Sequence, residues 1–236
     1  MIVTTYLVRS FLKGHRIFLL CDNMNYVSLS ELGDRNYNAD CIKVDADKGI
    51  FLLADGAGNH MPAKKASHSA VEYAYDSMLN TKNTKPKAII FEAMGKANRI
   101  REEIPNTATT LDVLLLQDNT CHIGHIGDAK IVRARAGTVE QLTEDHCDLL
   151  DELQKYIGTA VIHPDISSYE VQEGDVIAMM SDGVHKVVYE PELQRILTSD
   201  KPINEMLTQI TNLIQENMDS EMTGPQDNYS IILVQC

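Results

Sequence analysis

Several acidic residues stand at the ends of apolar runs, where a buried strand would leave the core. Asp55 directly follows the apolar residues 50–54, and Asp182 comes shortly after residues 176–180. Asp128 ends a third run in the same way. Because the strand anchors the backbone, an acid at its exit is held in place while its carboxylate reaches solvent or an ion. This position is suited to binding a cation.

Two more acids extend this pattern. Asp40 precedes the first apolar run, and Asp227 precedes the last one, residues 231–234. An aspartate followed by glycine is also ordinary turn chemistry, so a single such site would favour a simple turn. The recurrence favours a shared site, because acids at the ends of neighbouring strands converge and repel one another unless a metal ion lies between them.

The composition indicates one acidic, globular domain. The chain has 236 residues, of which 44% are hydrophobic, and this is enough for a full core. We predict a single domain over residues 1–236, with a hairpin within residues 1–25. The formal net charge of −13 argues against nucleic acid and anionic membranes as partners, because both require clustered Lys and Arg.

The cysteines and the amino-terminal residues point to the cytoplasm. The five cysteines form neither a Cys-x-x-Cys pair nor an even set, which argues against structural zinc and a secreted disulfide framework. Arg9, Lys13 and Arg16 interrupt the first apolar residues before a signal peptide or a membrane span accumulates. We therefore expect a soluble protein in a reducing cytoplasm.

The periodicity of apolar residues predicts groups of strands and helices. From Pro62, small and apolar residues recur every three or four positions as far as Met78, which predicts one face of a helix. Further helices are predicted over residues 86–104, 190–199 and 203–218, and strands over residues 50–54, 109–116, 121–127, 130–135 and 176–182. The strands between 109 and 135 are expected to form consecutive hairpins. This order indicates an α+β sandwich.

Seven short segments carry most of the candidate chemistry. In chain order they are Arg35 to Asp40, Asp55-Gly56-Ala57-Gly58-Asn59-His60, Thr109-Thr110-Leu111, His125-Ile126-Gly127-Asp128, Leu142-Thr143-Glu144-Asp145-His146, Ser181-Asp182-Gly183-Val184 and Asp227-Asn228. Any one of these motifs alone is weak evidence for a function. The ordered set resembles the metal-dependent serine/threonine protein phosphatases, called type 2C, over most of the chain after residue 28.

This resemblance implies a fold and a metal centre. The fold would be a four-layer α-β-β-α sandwich, in which two stacked antiparallel sheets are flanked by helix pairs. Two Mg²⁺ or Mn²⁺ ions would lie at the strand ends, where Asp55 bridges both and the carbonyl of Gly56 binds one. Asp182 and Asp227 would complete the coordination of the other ion. Hard oxygen donors suit these ions, and the scarcity of His and Cys in the set argues against zinc.

The implied reaction is hydrolysis of phosphoserine or phosphothreonine in proteins by direct attack of a water that bridges the two ions. Arg35 would bind the phosphoryl oxygens through its planar fork. Asp40 would act through metal-bound water, and Asp128 would support the site or hold a third ion. From the residues alone, Arg35 is interpreted as a surface arginine paired with Asp34 or Asp40.

The chain departs from the family pattern at several places, among them Ala39 and Asn59. Ala57 stands where some members carry a proton-donating His, and a structural role is the simpler interpretation of the nearby His60. Residues 147–157 are shorter than the flap of bacterial relatives, so substrate choice is expected to differ. Lys186 replaces an acid that many members use for a third metal. Because a positive side chain disfavours a nearby cation, we expect Lys186 to pair with Asp128 and the site to hold two ions.

Two histidines, His122 and His125, alternate along a predicted strand. No third soft ligand is spaced to join them in a metal site. We therefore interpret both as half-buried histidines of the strand.

Three hypotheses for the function follow. The first is a phosphatase acting on a phosphoprotein, with a protein kinase or its targets as partners. The second is a catalytically weak member of the fold that binds a phosphoprotein or a regulatory partner, and the third is a small-molecule phosphatase with the same site. Retention of Arg35, Asp55, Asp182 and Asp227 favours an enzyme, because a binding module has no chemical need for all four.

Overall fold

The computed structural model describes residues 24–150, 152–218 and 226–236. The hairpin predicted within residues 1–25 falls outside them, apart from its last two positions. Within these ranges, no helix is long and apolar enough to cross a membrane.

Ten strands of the described chain form two antiparallel sheets of five strands each. The first sheet has the order β1 (Asn25–Glu31), β10 (Tyr229–Gln235), β9 (Val176–Met180), β6 (Lys130–Arg135) and β7 (Thr138–Gln141). The second sheet has the order β2 (Asp40–Asp45), β3 (Ile50–Asp55), β4 (Leu111–Gln117), β5 (Thr120–Ile126) and β8 (Asp165–Glu170). Each strand pairs antiparallel with its neighbours.

The central core lies between the two sheets. Alternate side chains of a strand share a face, so Phe51 and Leu53 of β3 point inward together, beside Leu114 of β4. Ile177 of β9 and Ile232 of β10 face them from the first sheet. All five side chains are wholly buried. Burying one such side chain contributes roughly 1.5–3 kcal/mol, so this shared core holds the sheets together.

Helices cover the outer faces of both sheets. The second sheet is covered by α1 (Met61–Asn80), α2 (Pro86–Ala97) and the short α3 (Ile100–Glu103). A single turn, α4 (Asp182–His185), follows β9, and α5 (Glu190–Leu197) and α6 (Ile203–Met218) cover the first sheet. These layers confirm the predicted four-layer α-β-β-α sandwich with flanking helix pairs.

Small residues allow α1 and α2 to pack closely on the second sheet. Ala66, Ala70 and Ala74 of α1 are wholly buried, as the sequence period predicts. Beneath α2, Gly124 of β5 makes room for the helix, because a Cβ there would lie 2.3 Å from Cγ2 of Ile90. A larger residue at this position would force the helix and the sheet apart.

The helix predicted over residues 86–104 is interrupted in the structure. It ends at Ala97 and resumes as α3 at Ile100. Asn98 lies at the break, where its Oδ1 accepts a hydrogen bond from the N–H of Gly158 at 2.7 Å and its Nδ2 donates to the carbonyl of Thr159 at 3.0 Å. Local periodicity does not reveal such a contact with a distant segment.

The predicted succession of hairpins is only partly right. β4 pairs with β5 and β6 pairs with β7, but β5 and β6 belong to different sheets. The chain crosses between the sheets through Gly127, whose φ is +128°, and Asp128. The sequence pattern does not predict β1, β2, β7 and β8, because few of their residues are buried and their apolar alternation is weak.

The central core can be tested by a pair of leucine truncations. Leu114→Ala removes a wholly buried side chain and is expected to lower the free energy of unfolding by about 2–5 kcal/mol. Leu150→Ala removes an exposed side chain and should change it by less than about 0.5 kcal/mol. Urea unfolding of both variants measures the difference, and equal losses would contradict the position of the core between the sheets.

Candidate active site

Polar side chains close one end of the central core. The alternation that buries Phe51 and Leu53 also directs Asp55, two residues further along, toward the space between the sheets. Other core strands end in the same way, and the buried polar residues at their ends are Asp40, Asp112, His125, Ser181 and Ser230. Buried polar groups need hydrogen-bond partners, and buried charges need ions of opposite charge. This polar end of the core is therefore the candidate active site.

Hydrogen bonds through this layer join the two sheets. The Ser181 hydroxyl, after β9, donates to Oδ2 of Asp40 on β2 at 2.8 Å. The same hydroxyl oxygen accepts the N–H of Ser230 on β10 at 2.9 Å. One aspartate of the second sheet is thereby fixed to two strands of the first.

Two carboxylates, those of Asp40 and Asp55, lie on directly opposed residues of β2 and β3. Burial raises the pKa of Asp40 to about 7. Burial also raises the pKa of Asp55 well above its usual range, and the charges of Asp40, Asp182, Asp128 and Asp227 raise it further. The five predicted acids therefore lie near enough to one another to interact through their charges.

The backbone of Asp55 and Gly56 is held from several sides. The N–H of Asp55 donates to Oγ1 of Thr110 at 2.8 Å, and Oγ1 of Thr109 donates to the carbonyl of Asp55 at 2.8 Å. A Cβ at position 56 would lie 2.3 Å from the carbonyl oxygen of Ala63, so only glycine fits there. The turn that presents the Asp55 carboxylate is thus rigid.

Asn228 fixes the segment that carries Asp227. Its Oδ1 accepts the N–H of Ala39 at 2.7 Å, and its Nδ2 donates to the carbonyl of Leu32 at 2.7 Å. Its own carbonyl lies so close to Gly183 that a Cβ there would be 2.0 Å away. The Asp182 and Asp227 segments are therefore packed against each other and against the strand leading to Asp40.

Two cationic side chains pair with these acids. Arg35 Nη2 lies 2.6 Å from Oδ2 of Asp227, rather than beside Asp34 or Asp40 as the residues alone suggest. Lys186 Nζ lies 3.6 Å from Oδ2 of Asp128, which confirms the predicted pairing, and also 3.3 Å from Oδ2 of Asp182. The seven predicted site residues thus gather at one end of the core, while their individual roles stay predictions.

The donor set fits a hard divalent ion, although the cluster is not arranged as a finished coordination shell. Within the described ranges, no three His, Cys, Asp or Glu side chains are grouped so as to hold a metal directly. However, Oδ1 of Asp40 and Oδ1 of Asp182 are buried and have no hydrogen-bond partner among the residues that the structure describes. Buried carboxylate oxygens without partners are costly, and Mg²⁺ or Mn²⁺ is the kind of ion that would satisfy them.

A buried ion pair beside this cluster is not predicted by the sequence. His125 Nδ1 lies 2.7 Å from Oδ1 of Asp112, and both side chains are almost fully buried, so the interpretation of His125 as half-buried is wrong. Burial lowers the pKa of His125, but the Asp112 carboxylate outweighs it and the pKa is raised. The predicted hairpin of β4 and β5 could have indicated this pair, because the register of the two strands places Asp112 opposite His125. His122, by contrast, is half-buried as expected.

His146 holds the turn that carries Asp128. Its ring Nδ1 accepts a hydrogen bond from the backbone N–H of Gly127 at 3.1 Å, and the backbone N–H of His146 donates to the carbonyl of Gly127 at 2.8 Å. The Nε2 of His146 therefore carries the ring proton and lies 2.9 Å from Oδ2 of Asp165. The ring also lies against His125, with 4.7 Å between the ring centroids. The turn at Asp128 is consequently fixed by histidine contacts.

His60 and the short segment after His146 have structural contacts of their own. His60 Nδ1 accepts the N–H of Ala63 at 3.0 Å and caps α1, in agreement with its structural interpretation. In residues 147–157, Cys147 pairs with Leu153 within the segment. Ile157 pairs with Thr109, which in turn pairs with Gly56, so the end of the segment is tied to the site. The short segment therefore borders the acidic cluster.

Comparisons with known proteins show which sequences and folds the chain resembles. A sequence profile of the family described as Protein phosphatase 2C matches residues 33–223. Protein phosphatase PhpP of Streptococcus pneumoniae is 27% identical over 80% of this chain and 86% of its own length. The serine/threonine phosphatase PstP/Ppp of Mycobacterium tuberculosis is similar in fold, with a TM-score of 0.79 at 19% identity over 90% of this chain and 98% of that one.

A further solved structure is the catalytic domain of PstP in complex with two manganese ions. It matches with a TM-score of 0.77 at 21% identity and covers 90% of this chain and 97% of that chain. At this identity the likeness concerns the fold, whereas the profile match covers most of the sequence. The chain belongs to the protein phosphatase 2C family, whose members are Mg²⁺- or Mn²⁺-dependent protein-serine/threonine phosphatases.

Proposed function

We propose that this chain hydrolyses phosphoserine and phosphothreonine in phosphoproteins and releases inorganic phosphate. The observation that carries the proposal is the gathering of five aspartates at one end of the central core, where two of their oxygens are buried without partners. Such a cluster is electrostatically costly unless cations complete it. Clustered acids would only destabilise a core that had no function, whereas they can bind the metal ions whose positive charge phosphoryl transfer requires.

The metal ligands in this proposal are Asp55, the carbonyl of Gly56, Asp182 and Asp227. Asp55 is the best placed to be shared by two ions, since four other acids act on its carboxylate. When bound, two Mg²⁺ or Mn²⁺ ions supply a water of lowered pKa as nucleophile and neutralise charge on the phosphoryl oxygens. The rigid turn at Gly56 and the packed Gly183 segment fix the ligand backbones in advance.

Asp40 and Arg35 have separate roles in the proposal. Asp40 is held by Ser181 through Oδ2 and leaves Oδ1 to orient a water molecule at the cluster. Arg35 contacts Asp227 through Nη2 at 2.6 Å. A guanidinium has five N–H donors, so this contact leaves donors for a phosphoryl group beside the same cluster.

The proposed substrate is a phosphoprotein, and the proposed catalytic unit is a single domain. The relatives are called protein phosphatase and serine/threonine phosphatase, which supports a phosphoprotein, such as a protein kinase or one of its targets, as the substrate. The core shared by both sheets supports a single catalytic domain. Carboxylates around the site do not favour nucleic acid, whose phosphates need clustered basic residues.

The ligand assignment can be tested by Asp182→Asn. This change keeps the shape of the side chain but removes a charge that metal binding requires. Cleavage of a phosphothreonine peptide in the presence of Mn²⁺ should fall by about 10²-fold or more in kcat/KM. Asp76→Asn is the matched control, because Asp76 is an exposed aspartate of α1 outside the cluster and its loss should leave the rate nearly unchanged. Equal rates for Asp182→Asn and the unmodified protein would exclude this assignment.

The role of Arg35 can be tested by Arg35→Lys. A lysine keeps the charge but not the planar fork, so KM for the peptide and for an aryl phosphate should rise, with a loss of about 10-fold to 100-fold in kcat/KM. Arg99→Lys alters an exposed arginine that pairs with Glu103 on α3, and it is expected to have no effect. Steady-state kinetics of both variants decide the matter. An unchanged KM in Arg35→Lys would show that Arg35 only neutralises Asp227.

A further inference from the structure

Lys186 occupies an unusual position at the edge of the acidic cluster. Asp182 is the first residue of α4 and Lys186 is its C-cap, so the two side chains are one helical turn apart. The ammonium lies 3.3 Å from Oδ2 of Asp182 and 3.6 Å from Oδ2 of Asp128. One lysine therefore lies between two carboxylates that come from different parts of the chain.

Both carboxylates are partly withdrawn from water and held in place. The side chain of Asp128 is 12% exposed and that of Asp182 is 21% exposed. The neighbour of Lys186, His185, donates from Nε2 to the carbonyl of Asp128 at 3.0 Å, so α4 is fixed to the Asp128 turn. At such sites two like charges repel strongly unless a cation lies between them.

We propose that Lys186 is a built-in monovalent cation that fills the place between Asp128 and Asp182 and so limits the cluster to two divalent ions. This inference rests on the metal-dependent function proposed above. An ammonium neutralises one charge and donates hydrogen bonds, but it has no vacant coordination position for a water or a phosphoryl oxygen. Lys186 therefore sets the metal count of the cluster and has no direct part in activating water.

The charge of Lys186 also bears on the metal-free protein. The cluster holds five aspartates; among the described residues, Arg35 pairs with Asp227, and Lys186 pairs with Asp128 and Asp182. In the absence of divalent ions, loss of Lys186 removes the ammonium that the carboxylates of Asp128 and Asp182 both contact, which increases the repulsion between them. The same loss opens a position where a divalent ion has two carboxylates available.

Metal stoichiometry tests this inference directly. Equilibrium dialysis of the full chain against saturating Mn²⁺, followed by metal analysis, should give two ions per chain for the unmodified protein and three for Lys186→Met. Lys186→Arg keeps the charge and should restore two. Lys130→Met is the matched control, because Lys130 is also a partly exposed lysine in an ion pair, with its Nζ 3.6 Å from Oδ2 of Asp145 outside the cluster. The Lys130→Met protein should keep two ions.

Thermal unfolding gives a second measurement that does not depend on catalysis. With EDTA present, Lys186→Met should unfold at a lower temperature than Lys130→Met, because its two carboxylates repel each other. Addition of Mn²⁺ should raise the Tm of Lys186→Met by more than it raises that of the unmodified protein, since an extra ion binds the folded state. An equal rise in both proteins would overturn the inference.

The outcomes separate this inference from the proposed function. No stoichiometric Mn²⁺ in the unmodified protein would overturn both. Three ions in the unmodified protein, or two in Lys186→Met, would overturn only the role of Lys186. A higher KM for a phosphopeptide in Lys186→Met with two ions still bound would also overturn it, because Lys186 would then contact substrate.

Discussion

Repulsion between carboxylates at the end of the central core is the constraint on which the rest of the structure depends. Asp40 and Asp55 lie opposite each other on β2 and β3, and burial raises the pKa of both. An apolar residue at either position would extend the core at no electrostatic cost. The fold instead places acids there and offsets their repulsion with Ser181, Arg35 and Lys186. In the proposed function, divalent ions would offset the remaining repulsion.

The backbone around the cluster is rigid because the acids must not move apart. Gly56 and Gly183 pack so closely against neighbouring carbonyls that no side chain fits. Asn228 ties the Asp227 segment to residues that precede Asp40. This packing holds the segments that carry the acids close together, and the charges of the acids still repel one another. The buried pair of His125 and Asp112 extends the same polar layer toward Asp128.

The local sequence pattern predicts the elements whose burial is extensive. β3 is correct because a short, continuous apolar run is typical of a strand buried on both faces, and α1 is correct because its alanines repeat with the period of a helix. The break at Asn98 is missed, since it depends on Gly158 and Thr159 from another segment. β1, β2, β7 and β8 are missed because their weakly alternating residues form strands only when a neighbouring strand supplies hydrogen bonds.

The sequence by itself determined which residues could form the site, because acids after apolar runs, ordered with glycines and threonines, are visible without coordinates. It predicted one ion pair, that of Lys186 with Asp128, but not the other long-range partners. Arg35 contacts Asp227 across 192 positions of the chain, and His125 lies against Asp112 in the core. The tertiary structure decided these two pairs, because they depend on the stacking of the two sheets and on strand register, and neither is encoded in the spacing of residues along one strand.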